Sequence, residues 1–160
     1  RLIDQREFFS NIVLMFQREV VQRITARAGG KERGYLSVIV ENAFTAQSLF
    51  DVSPNAFQPI PKVWSSVVRL TPKESVVKDD KLFRQLLSAS FAQKRKTLLN
   101  NLKVRYKNTA TILECAQIDG RRRAETLSLE EWKKLQESIG EEKAETRPVG
   151  SVHKAPFVSR

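Results

Sequence analysis

Acidic residues are missing from a long stretch of this chain. Between Lys81 and Leu113 there are eight lysines and arginines and no aspartate or glutamate. Leucine and phenylalanine interleave those charges, so the stretch is read as the basic face of a folded element and not as a disordered tail. The chain has one cysteine, Cys115, which excludes an internal disulfide framework and fits a reducing compartment. Cys115 is expected as a small buried residue in a helix. The lone histidine, His153, has no ligand-type neighbours in sequence, which argues against a metal site there. No apolar run approaches the roughly 18 residues of a membrane span. A Cys/His cluster, a glycine-rich phosphate loop, a nucleophile–base pair and an internal repeat are all missing as well.

What is there suits one domain or two small ones. The 160 residues are 41% hydrophobic and 29% charged, with a net charge of +10. That is apolar enough for a core, and the excess charge points to a phosphate backbone as partner. Without any further comparison the chain reads as an α/β segment followed by a small helical domain that binds nucleic acid.

Along the chain, 11–16 (Asn-Ile-Val-Leu-Met-Phe) is predicted as a buried strand. Helical spacing follows from Gln17 to Ala28, with Val20, Val21, Ile24 and Ala28 on one face and Gly29-Gly30 as the stop. Gln17 and Arg18 therefore sit where a strand hands over to a helix, the end of an open α/β sheet at which ligands bind. Residues 35–44 are ambiguous, because Val38, Ile39 and Val40 favour a strand by propensity. Thr45–Val52 reads as a strand. Pro54 to Lys62 then carries Phe57 on a loop stiffened by Pro59 and Pro61, and Trp64–Leu70 reads as the next strand. Two strands joined this way are expected as antiparallel neighbours.

Beyond a charged linker at 72–79 the period becomes helical. Phe83, Leu86, Leu87 and Phe91 form one stripe, and Leu98, Leu99 and Leu102 continue it on a second segment. Lys94, Arg95 and Lys96 lie between them. Thr109–Ala116 is a third short helix. Ser128 with Glu131 makes a capping box for a last helix, with Leu127 and Trp132 as its staple and Gly140 as its expected stop. Glu130 and Glu131 are accounted for by that helix start. Residues 140–160 are expected as a flexible tail.

Three segments carry a resemblance. The run Phe57-Gln-Pro59-Ile-Pro61-Lys62-Val-Trp-Ser, followed by Val67-Val-Arg69-Leu70, resembles the late proline motif of the bacterial-type ribosomal RNA adenine dimethyltransferases. The run from Gln17 to Arg23, followed by Gly34-Tyr-Leu-Ser-Val38, is similar to the stretch after that family's catalytic strand. The run from Phe91 to Leu102 (Phe-Ala-Gln-Lys-Arg-Lys-Thr-Leu-Leu-Asn-Asn-Leu) is similar to a basic run of its C-terminal domain. They stand in the family's order and at its spacing. Departures are small: Ile60 where a third proline is common, Trp64 where an acid is common, and Leu99 where an arginine is common.

The resemblance implies the rest. It favours a helix at 35–44. It implies the C-terminal portion of a Rossmann-like methyltransferase sheet over 1–71, followed by a helical RNA-binding domain over 80–139. The family's S-adenosylmethionine-binding glycine motif and its Asn-Leu-Pro-Tyr-type tetrapeptide do not occur in this sequence. The chain is therefore expected to be part of a longer enzyme and inactive alone. The implied reaction is dimethylation of two adjacent adenines near the 3′ end of 16S rRNA, on the immature small subunit, by a cytoplasmic monomer with no membrane association. Phe57 is the implied stacking wall for the flipped adenine. Its alternative is a core phenylalanine that anchors the loop. Gln17, Arg18, Lys62, Lys94, Arg95, Lys96, Asn100 and Lys103 are the implied RNA contacts. Two other readings stay open: a non-catalytic, transcription-factor-like nucleic-acid-binding relative, and a methyltransferase conferring resistance through large-subunit 23S RNA.

Overall fold

A computed structural model describes residues 2–78 and 81–145, the last five by backbone alone. Three strands form one antiparallel sheet: β1 (Ile12–Gln17), β2 (Phe44–Val52) and β3 (Ser65–Pro72), in the order β1-β3-β2. Ile12 pairs with Leu70 and Gln17 with Ser65 on one side of β3. On the other side Phe44 pairs with Pro72 and Val52 with Ser65, with a register irregularity between Ser48 and Phe50. Gln17, Ser65 and Val52 thus meet at one end of the sheet.

Alternation along β3 buries Ser66, Val68 and Leu70 on one face. Helices α1 (Arg18–Ile24) and α2 (Tyr35–Ala43) cover that face, closing a cluster of Ile12, Val21, Ile24, Val40, Ala43, Phe44, Val68 and Leu70. The strand expected to be buried at 11–16 is not. Only Ile12 of β1 is buried, because β1 lies at the sheet edge and turns Val13 and Met15 to the uncovered face.

Helix α1 stops at Ile24, not at Ala28. Thr25 ends it, its N–H and its hydroxyl both donating to the Val21 carbonyl at 2.9 Å. Gly29 serves the loop instead. Its φ of 82° is the left-handed region, and its N–H donates to the Glu125 carbonyl at 2.8 Å. Residues 35–43 are helical despite their β-branched residues. The Ser37 hydroxyl accepts the Gly34 N–H at 2.9 Å and donates to the Arg23 carbonyl at 2.6 Å, which sets the helix start. Burial on two sides then overrides propensity: Val40 and Ala43 join the sheet cluster, while Val38 and Ile39 join the helical one.

Trp64 precedes β3, which starts at Ser65 and runs on through Thr71 and Pro72. The segment after it is tied down. Lys73 N–H donates to the Ala43 carbonyl at 3.0 Å, and Asn42 exchanges two hydrogen bonds with the Val77 backbone at 2.8 and 2.9 Å.

The second cluster belongs to α3 (Lys81–Ser90), α4 (Leu98–Leu102), α5 (Thr109–Cys115) and α6 (Leu129–Glu145). Phe83, Leu86, Leu87, Leu98 and Leu102 are buried in it, as the stripe required. Leu99 is not, because α4 has only five residues and turns that position outward. Cys115, expected inside, is exposed at the end of α5. Ser128 and Glu131 form the capping box, the Ser128 N–H donating to Glu131 Oε2 at 2.8 Å and the Glu131 N–H to Ser128 Oγ at 3.3 Å. Arg122 also binds the Glu131 carboxylate, with one contact at 3.1 Å. That guanidinium, helped by the Ser128 backbone N–H, holds the Glu131 carboxyl below the usual carboxylate range against its partial burial. Helix α6 does not stop at Gly140 but continues to Glu145. A helical glycine costs only about 1 kcal/mol, and no left-handed residue ends the helix there. Of the expected tail, 140–145 is helical; the remainder and His153 lie outside the described residues.

Candidate nucleic-acid interface

At the sheet end, β1 finishes at Gln17 and α1 begins at Arg18, as the sequence predicts. The Arg18 N–H donates to the Trp64 carbonyl at 2.9 Å, which joins the junction to the loop that carries Phe57 and Lys62. The Arg18 side chain lies 3.3 Å from Asp51 on β2, and Asp51 also accepts from the Ser66 hydroxyl. Arg18 is therefore held in place, with part of its charge already answered. Sequence reading missed Asp51 and Ser66 because neither belongs to a motif. Their meeting depends on the β2–β3 register, which pairs them directly.

The loop is built locally. A 3-10 turn at Pro54–Ala56 follows Ser53, whose hydroxyl accepts the Asn55 N–H at 3.3 Å. Phe57 closes the turn, its N–H donating to the Pro54 carbonyl at 3.2 Å. The Phe57 ring is half-buried and belongs to neither buried apolar cluster. Ile60, Val63 and Trp64 are exposed beside it.

Lys94, Arg95 and Lys96 are exposed on the turn between α3 and α4, and Asn100 and Lys103 are exposed on and just after α4. The turn is pinned from beneath by Asn101, which is buried. Its Nδ2 donates to the Ser90 carbonyl at 2.7 Å and to the Gln93 carbonyl at 3.1 Å. Thr97 caps α4 by accepting the Asn100 N–H at 3.3 Å. Asn101 was readable only as part of a basic run, since its role depends on carbonyls up to eleven residues away.

The structure thus groups Gln17, Arg18, Phe57 and Lys62 at the sheet end, and Lys94, Arg95, Lys96, Asn100 and Lys103 around the helical turn. A cleft of about 420 Å³ lies where α1 and the start of α2 face Phe91 and Lys94. No group of acidic, histidine or cysteine side chains among the described residues is arranged to hold a metal ion. No helix among them is long and apolar enough to cross a membrane.

A three-stranded sheet that presents a strand-to-helix junction and a proline-ordered aromatic at one end, continued by helices with an exposed basic turn, defines a two-part α/β and helical protein. The comparisons narrow the class to a family. Residues 1–141 match the family model "Ribosomal RNA adenine dimethylase", and the chain belongs to that family. It is 43% identical over 145 residues to a ribosomal RNA small subunit methyltransferase A of Syntrophotalea carbinolica, covering 87% of this chain and 55% of the relative. It is 42% identical over 139 residues to the protein of the same name from Mesorhizobium japonicum, covering 86% and 49%. The chain therefore spans about half the length of these curated relatives. Among solved structures, a dimethyladenosine transferase from Plasmodium falciparum superposes with a TM-score of 0.74 at 28% identity, over 89% of this chain and 61% of that one. The 23S rRNA methyltransferase ErmE shares the fold, with a TM-score of 0.54 at 19% identity over 82% of this chain and 55% of that one.

Proposed function

We propose that this chain is the C-terminal part of an S-adenosylmethionine-dependent enzyme that dimethylates two adjacent adenines near the 3′ end of 16S rRNA in the immature small subunit. The observation that carries the reading is the sheet end, where the Gln17–Arg18 junction is hydrogen-bonded to the loop bearing Phe57. The small-subunit names of the relatives favour this over the large-subunit reading.

The three strands then form the antiparallel end of a larger Rossmann-like sheet. The described residues contain no glycine-rich strand–turn–helix fit to hold the cofactor, so S-adenosylmethionine is assigned to the part of the relatives' length that this chain does not cover. The cofactor supplies the methyl group; the residues here handle the RNA. An adenine must leave its stack to be methylated, and a ring that replaces the lost stacking lowers that cost. Phe57 is suited to this, because it is partly accessible and is fixed by its turn rather than by a core. Gln17, Arg18 and Lys62 hold the flanking backbone. Lys94, Arg95, Lys96, Asn100 and Lys103 dock a more distant part of the RNA through phosphates. The setting is a cytoplasmic monomer.

In the full-length protein, Phe57→Ala should lower single-turnover methylation by about 5- to 150-fold, the value of one base–aromatic stack. RNA affinity should change little, and Phe57→Trp should keep more activity than Phe57→Leu. For this chain alone, log K for single-stranded RNA should fall with log salt at a slope of about −3 if roughly four phosphates are contacted. RNA binding without any methyl transfer by the full-length protein would favour the non-catalytic reading. Normal turnover by a well-folded Phe57→Ala protein would remove Phe57 from the site.

A further inference from the structure

We propose that the cleft between α1, the start of α2 and the α3–α4 turn is a subsite for one nucleotide of single-stranded RNA, separate from the Phe57 end of the sheet. The proposal rests on the RNA reading above and shares only Lys94 with it. The cleft draws a cation from each of two regions: Arg23 from the end of α1 and Lys94 from the basic turn. Lys94 makes no ion pair among the described residues, whereas Arg23 is shared with Glu19. Two rings line the same space, Tyr35 from α2 and Phe91 from the end of α3. Tyr35 is 38% exposed although it stands beside a buried core, so its ring is available. Cations interleaved with accessible aromatics are what single-stranded RNA requires, since charge meets the backbone and a flat face meets the base.

Two further features set the polarity of the site. Tyr35 and Leu36, which line the cleft, lie in the first turn of α2, ahead of the hydrogen bond from the Val38 N–H to the Gly34 carbonyl at 3.2 Å, so their amides have no intrahelical acceptor. Arg33 also lines it, is only 2% exposed, and keeps a buried Nε with no acceptor. Its other nitrogens are committed to the Ala26 and Leu127 carbonyls and to Glu41. Glu41 answers the Arg33 charge, so the positive field at the cleft comes from Lys94 and Arg23. Glu32 is the one carboxylate lining the cleft. It repels a bare phosphate but accepts from a ribose hydroxyl or a base amine, which favours a nucleotide over a free ion.

The test uses the 160-residue chain, isotope-labelled, titrated separately with a short oligouridylate and with inorganic phosphate while backbone amide resonances are followed. The oligouridylate should shift the Tyr35 and Leu36 amides. Tyr35→Ala should weaken its binding by about fivefold or more at unchanged melting temperature, and Tyr35→Phe should not. Oligouridylate binding whose shifts stay on residues 95–107, with the Tyr35 and Leu36 amides still, would overturn the subsite and leave the RNA reading intact. Equal shifts and affinity with inorganic phosphate would overturn it as a nucleotide site. No binding of the oligouridylate anywhere would overturn the RNA reading itself.

Discussion

The helical bundle and the three-stranded sheet differ in how completely each is closed. In the bundle, Phe83, Leu86, Leu98, Trp132 and Ile139 are fully buried, and Phe91 packs on Trp132 with ring centroids 5.9 Å apart. In the sheet one face is closed by α1 and α2, and the other leaves Val13 58% and Phe50 60% exposed. An amphipathic helix needs only one apolar partner, and α3 to α6 supply it to each other together with Val38 and Ile39 of α2. A sheet with apolar residues on both faces needs two covering layers, and among the described residues this one has a single layer. The contrast agrees with the proposal that these strands belong to a larger sheet. An exposed apolar face of this kind marks an interaction surface.

Substitutions can break that contrast. The largest effect is expected at Trp132. Trp132→Ala should cost about 3–5 kcal/mol in denaturant unfolding of the chain, because a fully buried ring leaves a cavity and Phe91 loses its partner. A loss under about 1 kcal/mol would mean that the bundle is not the closed core described here.

The next effect is at Asn101. Asn101→Leu removes a donor from the Ser90 carbonyl and leaves the Gln93 carbonyl with only the Lys96 N–H, and should cost about 1–3 kcal/mol. It should also weaken RNA binding, since the turn bearing Lys94, Arg95 and Lys96 loses its support. Unchanged salt-dependent affinity would show that the turn holds itself.

A smaller effect, and one with a pH signature, belongs to Glu131. Its folded carboxyl lies below the usual range, so its contribution is present above the ordinary carboxylate pKa and is lost as pH falls through the folded value. Glu131→Gln keeps an acceptor for the cap but removes the charge. The variant should be less stable than the parent at neutral pH by about 1 kcal/mol or less, because Arg122 is partly solvated. The gap should close as pH falls below the ordinary carboxylate range. A gap that persists in acid would assign the stability to cap geometry and not to charge.

The smallest effect is expected on the bare sheet face. Phe50→Ser should change the stability of this chain by no more than about 0.5 kcal/mol, since little is buried there. In the full-length protein the same change should cost far more if that face is covered. Equal effects in both would end the idea of a completing layer.

Much of the fold was legible in local patterns. The α3 stripe, the Ser128–Glu131 capping box and the antiparallel β2–β3 pair follow from spacing and turn residues alone. Errors fell where a local signal met a stronger distant one. Gly29 resembled a helix stop but serves the contact with Glu125, and α1 ends earlier at Thr25. Gly140 also resembled a stop, and the helix runs through it. Propensity alone left residues 35–44 undecided between strand and helix, and burial on two sides decided for the helix.

The sequence by itself determined the family, the basic face and the helix starts, because motif order, charge and capping act over a few residues. The tertiary structure alone decided that Asp51 and Ser66 hold Arg18, that Asn101 carries the basic turn, and that Arg23 and Lys94 share a cleft. Each of these depends on strand register or on packing between segments far apart in the chain, and neither is written in any local window.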